Sequence, residues 1–269
     1  MDRHTSNQED RYFDLPLERL DAVVMDLDGV ITDTASLHQT AWKKLFDMEL
    51  ARRGLERRFT REDYLQYVDG KPRRDGVKSF LAVAGIELPE GTPGDADSTE
   101  SIWGVAKRKD EYFLAELAKT GPRPYPGTVN LLKGLRQKGM PIGVVSGSRN
   151  CRLVLDAAGL SDLFDARVDG EESLRMGLPG KPDPATFLEA ARRLGSSPER
   201  TMVVEDAIAG VSAGKKGGFG LVIGVDRVGH RDALLSAGAD VVVNDLSSLR
   251  IPLIYRTIHA THDGNANGQ

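Results

Sequence analysis

Two aspartates directly follow a short apolar segment near the start of the chain. Asp26-Leu27-Asp28-Gly29 comes after residues 22–25, which predicts a buried strand that ends in two carboxylates and a glycine. Residues i and i+2 of a strand point to the same side, so Asp26 and Asp28 are expected to share one pocket. Two carboxylates at such a short distance repel each other unless a cation neutralises them or one of them stays protonated. The pair therefore indicates a site for a cation or a shared proton.

A solvated turn and a calcium loop are two other interpretations of this segment. An EF-hand calcium loop does not fit, because the sixth position counted from Asp26 is Ile31 rather than glycine. The twelfth position is Leu37, where that loop requires a glutamate. The solvated turn stays open from this segment alone.

Polar residues also follow strand-like segments in the second half of the chain. Segments 141–145 and 201–204 are apolar, and the polar residues after or between them are Ser146, Lys181, Glu205 and Asp206. Open α/β sheets place their sites at the carboxyl ends of strands, so these side chains are expected to converge with the first pair. Four carboxylates and one lysine leave net negative charge, which implies a divalent cation. Oxygen ligands without His or Cys favour Mg²⁺.

These residues, in this order, resemble the four motifs of the haloacid dehalogenase-like phosphotransferase superfamily. The motifs are Asp26-x-Asp28-Gly29-Val30, Ser146, Lys181 and Glu205-Asp206. The resemblance covers about residues 21 to 245. It implies a Rossmann-like α/β core, a doubly wound parallel sheet, with an α-helical cap inserted after the first strand.

The resemblance also implies a role for each motif. Asp26 would attack phosphorus and form an aspartyl phosphate, and Asp28 would move the proton of the sugar oxygen. Mg²⁺ would bind Asp26, the backbone carbonyl of Asp28 and Asp206, with Glu205 ligating the metal or orienting its water. The transferring phosphoryl oxygens would be held by Ser146, the Gly147 amide and Lys181.

The sequence after the first motif resembles the β-phosphoglucomutase subgroup. Members carry a Thr at the hinge and a His on the first cap helix, which fall here on Thr34 and His38. The Thr34 hydroxyl would tune Asp28 as the lobes close, and His38 would bridge the hinge to the cap. An ordinary amphipathic-helix residue remains the alternative for His38.

This subgroup also binds a second phosphate that does not react. Ser148, Arg149 and Asn150 lie at a predicted strand-to-helix junction, where backbone amides and the helix dipole favour anions. Members often carry Lys where this chain has Arg149. The bidentate guanidinium preserves phosphate binding there.

The predicted cap supplies the remaining substrate contacts. Gly70-Lys71-Pro72-Arg73 resembles a substrate loop whose arginine, assigned here to Arg73, grips the distal phosphate, with Arg74 as a close competitor. Asp69 stands where members often carry Lys, so the sugar hydroxyl contacts are open. Lys109 matches a cap residue that faces the sugar.

Two phosphate sites on either side of a sugar suit a mutase. The expected activity interconverts β-glucose 1-phosphate and glucose 6-phosphate through an aspartyl-phosphate enzyme, with glucose 1,6-bisphosphate as intermediate and activator. The alternatives are a Mg²⁺-dependent sugar-phosphate phosphatase of the same fold and a catalytically silent sugar-phosphate sensor. Phosphatase and mutase share the core residues, so only the cap distinguishes them.

Composition narrows the class of protein. The chain has 269 residues, 40% of them hydrophobic, and a net charge of −4, which gives no general attraction to nucleic acid or to an anionic membrane. The single cysteine, Cys151, excludes an intrachain disulfide. No apolar segment approaches the roughly 18 residues of a membrane span. We expect a monomeric cytoplasmic enzyme whose partner is a small sugar phosphate.

The hydrophobic periodicity divides the chain into four regions. Residues 1–20 are predicted to be a flexible arm and 256–269 a disordered tail, while 21–34 with 120–255 form the catalytic core. The helical pattern of 35–119 predicts the cap, in which Pro89–Ser101 is a surface loop. The strands predicted after the cap are 141–145, 166–168, 201–204, 220–223 and 240–243.

Overall fold

The computed structural model describes residues 12–252, and its centre is a six-stranded parallel sheet. The strands in chain order are β1 Phe13–Asp14, β2 Ala22–Asp26, β3 Ile142–Val145, β4 Ala166–Val168, β5 Thr201–Glu205, β6 Leu221–Val225, β7 Val241–Val243 and β8 Leu249–Arg250. The large sheet has the order β4-β3-β2-β5-β6-β7. Every pair of neighbours in it is parallel. The predicted strands after the cap are all present, with ends that differ by at most two residues.

Helices cover both faces of the sheet and build the cap. Those of the cap are α1 Ala35–Arg52, α2 Arg61–Asp63, α3 Arg73–Val83 and α4 Ile102–Thr120. Those of the core are α5 Pro126–Gln137, α6 Cys151–Ala158, α7 Gly170–Met176, α8 Ala185–Arg193, α9 Ile208–Lys216 and α10 Arg231–Ala237. None of the helices within residues 12–252 is long and apolar enough to cross a membrane. The arrangement confirms the predicted doubly wound α/β fold.

Strand β2 is buried on both faces, which explains why it is apolar throughout. Val23 and Met25 pack into the core on one side of the sheet, and Val24 into the core on the other side. This alternation follows from the two-residue period of a strand. The strand order reverses between β2 and β5, so the crevice at their carboxyl ends is where an open α/β sheet binds ligands.

The cap has a hydrophobic core of its own. Aromatic rings form its centre, with Phe46 4.2 Å from Phe80 and 5.1 Å from Trp42 between ring centroids. A π-helical turn, Tyr64–Val68, continues from α2 and leads to the substrate loop. Residues 89–101 contain neither helix nor strand and are mostly exposed, in line with the predicted surface loop.

The flexible-arm prediction is wrong for residues 13–20. There β1 pairs with β8 from the far end of the described chain, and Leu15, Leu17 and Leu20 are buried. These three leucines gain free energy by leaving water, which offsets the entropy lost when the segment becomes ordered. Residues 1–11 of the arm and the predicted tail, 256–269, lie outside the described residues.

Candidate active site

Asp26 lies at the end of β2 and is held by two neighbours. Lys181 donates hydrogen bonds to Asp26 Oδ1 and to Glu205 Oε1, and the Asp28 amide donates to Asp26 Oδ2 at 2.8 Å. Burial raises the pKa of Asp26 against the opposing effect of Lys181. Burial alone would lower the pKa of Lys181, but the two carboxylates outweigh it and raise it. Lys181 therefore stays protonated and fixes the Asp26 carboxylate.

Asp28 occupies the hinge between core and cap. Thr34 donates a hydrogen bond to its Oδ1, and Ser146 donates to its Oδ2 at 3.1 Å. His38 Nε2 lies 3.3 Å from the same Oδ1. Burial raises the pKa of Asp28, but His38 together with these hydroxyls outweighs burial and holds it well below its usual range. Asp28 is therefore ionised, the form that accepts a proton.

His38 connects Asp28 to the cap. Its Nδ1 is hydrogen-bonded to Lys109, and its ring stacks on Phe113 with centroids 4.0 Å apart. Burial lowers the pKa of His38, and the adjacent Lys109 lowers it further. The Nε2 atom of His38 faces Asp28, so a proton on this nitrogen would point at the carboxylate. The structure thus brings Thr34, His38 and Lys109 together with Asp28 in one series of side-chain contacts.

The residues after β3 order one another. The Ser148 amide donates to Ser146 Oγ at 3.0 Å, and the Asn150 amide donates to Ser148 Oγ at 3.1 Å. Asn150 precedes the first residue of α6, and Arg149 beside it is exposed. This series turns the chain from the strand into the helix and fixes the hydroxyl that contacts Asp28.

Asp110 of α4 joins the two lobes, and the sequence reasoning missed it. Its Oδ1 lies 2.7 Å from the Arg73 guanidinium and accepts a hydrogen bond from Asn150 Nδ2 at 2.7 Å. Arg74 instead pairs with Glu90 and Asp75 on the cap surface. Arg73 therefore contacts an acid that is also bound by a core residue, while Arg74 pairs with acids of the cap. No sequence signal singled out Asp110, because its role depends on how the lobes meet.

The substrate loop of the cap rests on glycines of the core. A Cβ added to Gly147 would lie 3.3 Å from the Lys71 carbonyl oxygen, and one added to Gly180 would lie 2.1 Å from Pro72 Cγ. Gly70, with a φ of +69°, turns the chain into this contact. A side chain at position 180 would overlap Pro72, and one at position 147 would crowd Lys71, so cap and core are in direct contact, as in a closed form.

Asp206 lies against the hinge backbone. A Cβ added to Gly29 would meet its carboxylate at 1.8 Å, so only glycine fits there. Both oxygens of the neighbouring Glu205 accept hydrogen bonds, one from Lys181 and one from the Ala207 amide at 2.7 Å. Burial raises the pKa of Asp206, and nearby carboxylates raise it further. This excess of buried negative charge fits a divalent cation.

Most of the predicted site residues surround one small catalytic pocket. Its volume is about 60 Å³, and predicted residues in its wall are Asp26, Asp28, His38, Gly70, Arg73, Lys109, Gly147, Ser148, Glu205 and Asp206. Within residues 12–252, no three His, Cys, Asp or Glu side chains are placed as a preformed metal site. Arg149 lines a larger neighbouring cavity instead.

Asp69 and Tyr64 are further residues near this pocket. Asp69 is half-buried, and burial raises its pKa to about 7 even though a hydrogen bond with Tyr64 opposes the shift. Glu205 and Asp28 raise it as well. The sequence singles out Asp69, because subgroup members often carry lysine at this position. Nothing in the sequence predicts its hydrogen bond with Tyr64.

Comparisons with known proteins place this geometry in a family. A haloacid dehalogenase-like hydrolase model matches residues 20–218. The chain is 42% identical over 249 residues to a Mycobacterium tuberculosis β-phosphoglucomutase, covering 89% of this chain and 94% of the relative. A Thermotoga maritima phosphorylated carbohydrates phosphatase is 27% identical, over 86% of this chain and 98% of that protein.

A solved structure agrees with these matches. The crystal structure of β-phosphoglucomutase from Clostridium difficile has a TM-score of 0.68 and 28% identity, over 86% of this chain and 93% of that one. Relatives thus include both mutases and phosphatases, which transfer or release a phosphoryl group. The chain belongs to the haloacid dehalogenase-like hydrolase family, in its β-phosphoglucomutase subgroup, and is an enzyme, a phosphotransferase or phosphatase.

Proposed function

We propose that the enzyme is a β-phosphoglucomutase that interconverts β-glucose 1-phosphate and glucose 6-phosphate. The observation that carries the proposal is the closed catalytic pocket, to which the cap contributes His38, Arg73 and Lys109. A mutase must keep water from its aspartyl phosphate, and a cap that closes over the nucleophile supplies that exclusion. The 42% identical mutase relative supports the same activity.

The first half of the reaction uses the fixed carboxylate of Asp26. Its oxygen attacks phosphorus of the priming bisphosphate, the bond to the sugar oxygen breaks, and Asp28 supplies the proton to that oxygen. Asp28 would take up this proton when substrate displaces the hydrogen bonds that now keep it ionised. Ser146, the Gly147 amide and Lys181 hold the phosphoryl oxygens.

The second half returns the phosphoryl group to a sugar. Asp28 in its ionised form accepts the proton of the incoming hydroxyl, whose oxygen then attacks phosphorus and frees Asp26. The low pKa of Asp28 in this structure suits this step. Glucose 1,6-bisphosphate forms, reorients, and gives its other phosphoryl group to Asp26.

The carboxylates suit Mg²⁺ as the cofactor. Asp26, Asp206 and the Asp28 carbonyl would hold it, and it would reduce the repulsion between Asp26 and the anionic phosphate. Glu205 has both oxygens occupied by Lys181 and Ala207, so we assign it to positioning Lys181 and a metal-bound water.

The distal phosphate has two candidate arginines on opposite lobes. Arg73 comes from the cap and already faces an anion, the carboxylate of Asp110, at 2.7 Å. Arg149 comes from the core beside Asn150, which contacts the same carboxylate. A phosphate that replaced Asp110 there would be held by both lobes, and its binding energy would favour closure.

A sugar-phosphate phosphatase is the second candidate. Asp69 favours it, because a carboxylate replaces the lysine that subgroup members often carry in the substrate loop. The Thermotoga maritima relative is a phosphatase of phosphorylated carbohydrates. A silent sensor is disfavoured, because Asp26, Asp28 and Lys181 are all present and connected.

Phosphorus NMR of β-glucose 1-phosphate with enzyme, Mg²⁺ and a trace of glucose 1,6-bisphosphate tests these candidates. A mutase converts the signal to glucose 6-phosphate and needs the bisphosphate, whereas a phosphatase releases inorganic phosphate. A trapped aspartyl phosphate excludes the sensor. Release of phosphate without glucose 6-phosphate would overturn the mutase proposal.

A further inference from the structure

The loop between β6 and α10, residues 226–230, lies against two of the backbone segments that carry the acids of the site. Asp226 directly follows β6 and accepts hydrogen bonds from the amides of Val228, Gly229 and His230 at 3.1, 2.7 and 3.0 Å. Gly229, with a φ of +82°, allows the chain to turn back on this carboxylate. These bonds fix the loop backbone, so the side chains of the loop leave it in defined directions.

Arg227 of this loop holds the backbone next to Asp28. Its Nε donates a hydrogen bond to the carbonyl oxygen of Gly29 at 2.8 Å. The guanidinium is held in turn by the core, since its Nη1 lies 3.2 Å from Asp245 Oδ2 and its carbon lies 3.7 Å from the centroid of the Tyr125 ring. Gly29 follows the carbonyl that we assign to Mg²⁺, so Arg227 fixes the chain at that carbonyl.

His230, at the other end of the same loop, holds the backbone of Asp206. Its Nε2 lies 3.2 Å from the carbonyl oxygen of Asp206. A carbonyl oxygen can only accept, so Nε2 is the donor. The carboxylate of Asp206 packs against the Cα of Gly29, where a Cβ would overlap it. The loop therefore contacts two backbone segments that also contact each other.

Stability alone accounts poorly for these two side chains. Arg227 Nη2 and His230 Nδ1 are buried, and neither has a hydrogen-bond partner among the residues that the structure describes. A buried polar atom without a partner costs free energy, which an apolar side chain of similar size would avoid. Neither residue lines the catalytic pocket. What the two donors hold in place explains their presence better than direct contact with a substrate does.

We propose that Arg227 and His230 are positioning residues for Mg²⁺, which keep the Asp28 carbonyl and the Asp206 carboxylate fixed relative to each other. The proposal rests on the Mg²⁺-dependent phosphoryl chemistry proposed above, which a mutase and a phosphatase share. Mg²⁺ requires near-ideal octahedral geometry, so its affinity depends closely on where its ligands lie. Groups that orient the ligands of a metal commonly change its affinity about 10- to 100-fold.

Mg²⁺ titrations of the substrate-free enzyme, followed by amide NMR shifts, test the proposal. The Kd for Mg²⁺ should rise about tenfold in Arg227→Met, the lower end of that range, because Arg227 holds the backbone beside a ligand. It should rise about 2- to 10-fold in His230→Ala, the range of one neutral hydrogen bond. The Tm of each protein in EDTA is measured alongside, because a purely structural role would lower the Tm and leave the Kd unchanged.

Three further variants serve as controls. His230→Gln keeps an N–H donor and should restore the wild-type Kd. Arg227→Lys keeps the charge but loses the planar group that reaches Gly29 and Asp245 together, so its Kd should fall between those of the wild type and Arg227→Met. Arg61→Ala removes the exposed hydrogen bond from the cap to the Val228 carbonyl oxygen, 2.9 Å long, and should leave the Kd unchanged.

An unchanged Kd in both Arg227→Met and His230→Ala would overturn the proposal, as would an equal rise in Arg61→Ala. If Arg227→Met does not fold, the comparison of His230→Ala with His230→Gln decides. At saturating Mg²⁺ the KM for β-glucose 1-phosphate should return to the wild-type value, and a KM that stays raised would indicate a distorted substrate site instead. Absence of Mg²⁺ binding by the wild type would overturn the cofactor assignment together with this proposal. Release of inorganic phosphate without glucose 6-phosphate would overturn the mutase proposal alone.

Discussion

Replacing Asp110 by asparagine should strengthen binding of a sugar phosphate. Asp110 now holds the Arg73 guanidinium at 2.7 Å, so a distal phosphate must displace this carboxylate before it can bind Arg73. Asp110→Asn removes the charge but keeps an amide oxygen that can accept the hydrogen bond from Asn150. The variant therefore separates competition for Arg73 from the contact between the lobes.

The size of the effect follows from the contact that is lost. A hydrogen bond between charged groups contributes roughly 1.5–3 kcal/mol, which corresponds to about 10- to 100-fold in binding. The Arg73 and Asp110 side chains are 13% and 17% exposed, so solvent screening is limited but present. We expect the lower end, a KM for β-glucose 1-phosphate about tenfold below that of the wild type.

Steady-state kinetics with β-glucose 1-phosphate and with p-nitrophenyl phosphate measure this effect. The aryl phosphate has no distal group, so its KM should not move. Arg73→Ala serves as the opposite control and should raise KM for the sugar phosphate while leaving the aryl phosphate nearly unchanged. A higher KM in Asp110→Asn would refute the reasoning, because it would mean that Asp110 positions Arg73 for substrate rather than competing with it.

Three further predictions concern the acids of the site. Asp26→Asn should abolish turnover, because an amide does not attack phosphorus; a phosphoryl group still trapped on the variant enzyme would contradict this role. Asp28→Asn should slow transfer to a sugar hydroxyl by roughly two to four orders of magnitude, measured by single-turnover kinetics, and a near-normal rate would remove Asp28 from proton transfer. Asp69 has a pKa raised to about 7, so between about pH 4 and pH 7 the folded state keeps a proton that the unfolded state has released, and stability falls as pH rises. The Tm of Asp69→Asn relative to the wild type, measured in EDTA, should therefore increase from pH 5 to pH 8, and a constant difference would contradict the shift.

The sequence predicts the central residues of the site well, because their positions follow from the local pattern of the buried strands. Strands buried on both faces of a parallel sheet are short apolar segments, and their carboxyl ends meet at one edge. Asp26, Ser146 and Glu205 each stand at or just after such an end, so their convergence follows from the strand assignment alone.

The contacts of the cap and the packing of residues 13–20 depend on tertiary structure, which local sequence patterns do not predict. Arg73 and Arg74 are adjacent in the first turn of α3, and their partners, Asp110 for the first and Glu90 for the second, are distant in the sequence. Asp110 acquires its role when two lobes meet. The packing of residues 13–20 requires β8, a partner more than two hundred residues away in the sequence.

The contact between cap and core depends on the absence of side chains at Gly147 and Gly180. A methyl group at position 180 would overlap Pro72 Cγ at 2.1 Å and act as a wedge between the lobes. A wedge would admit water to the aspartyl phosphate without altering any acid, lysine or arginine of the site. On the proposed mechanism, a single substitution that replaces no acid, lysine or arginine would then favour hydrolysis over transfer, so divergence between mutases and phosphatases in this architecture need not begin at a catalytic residue.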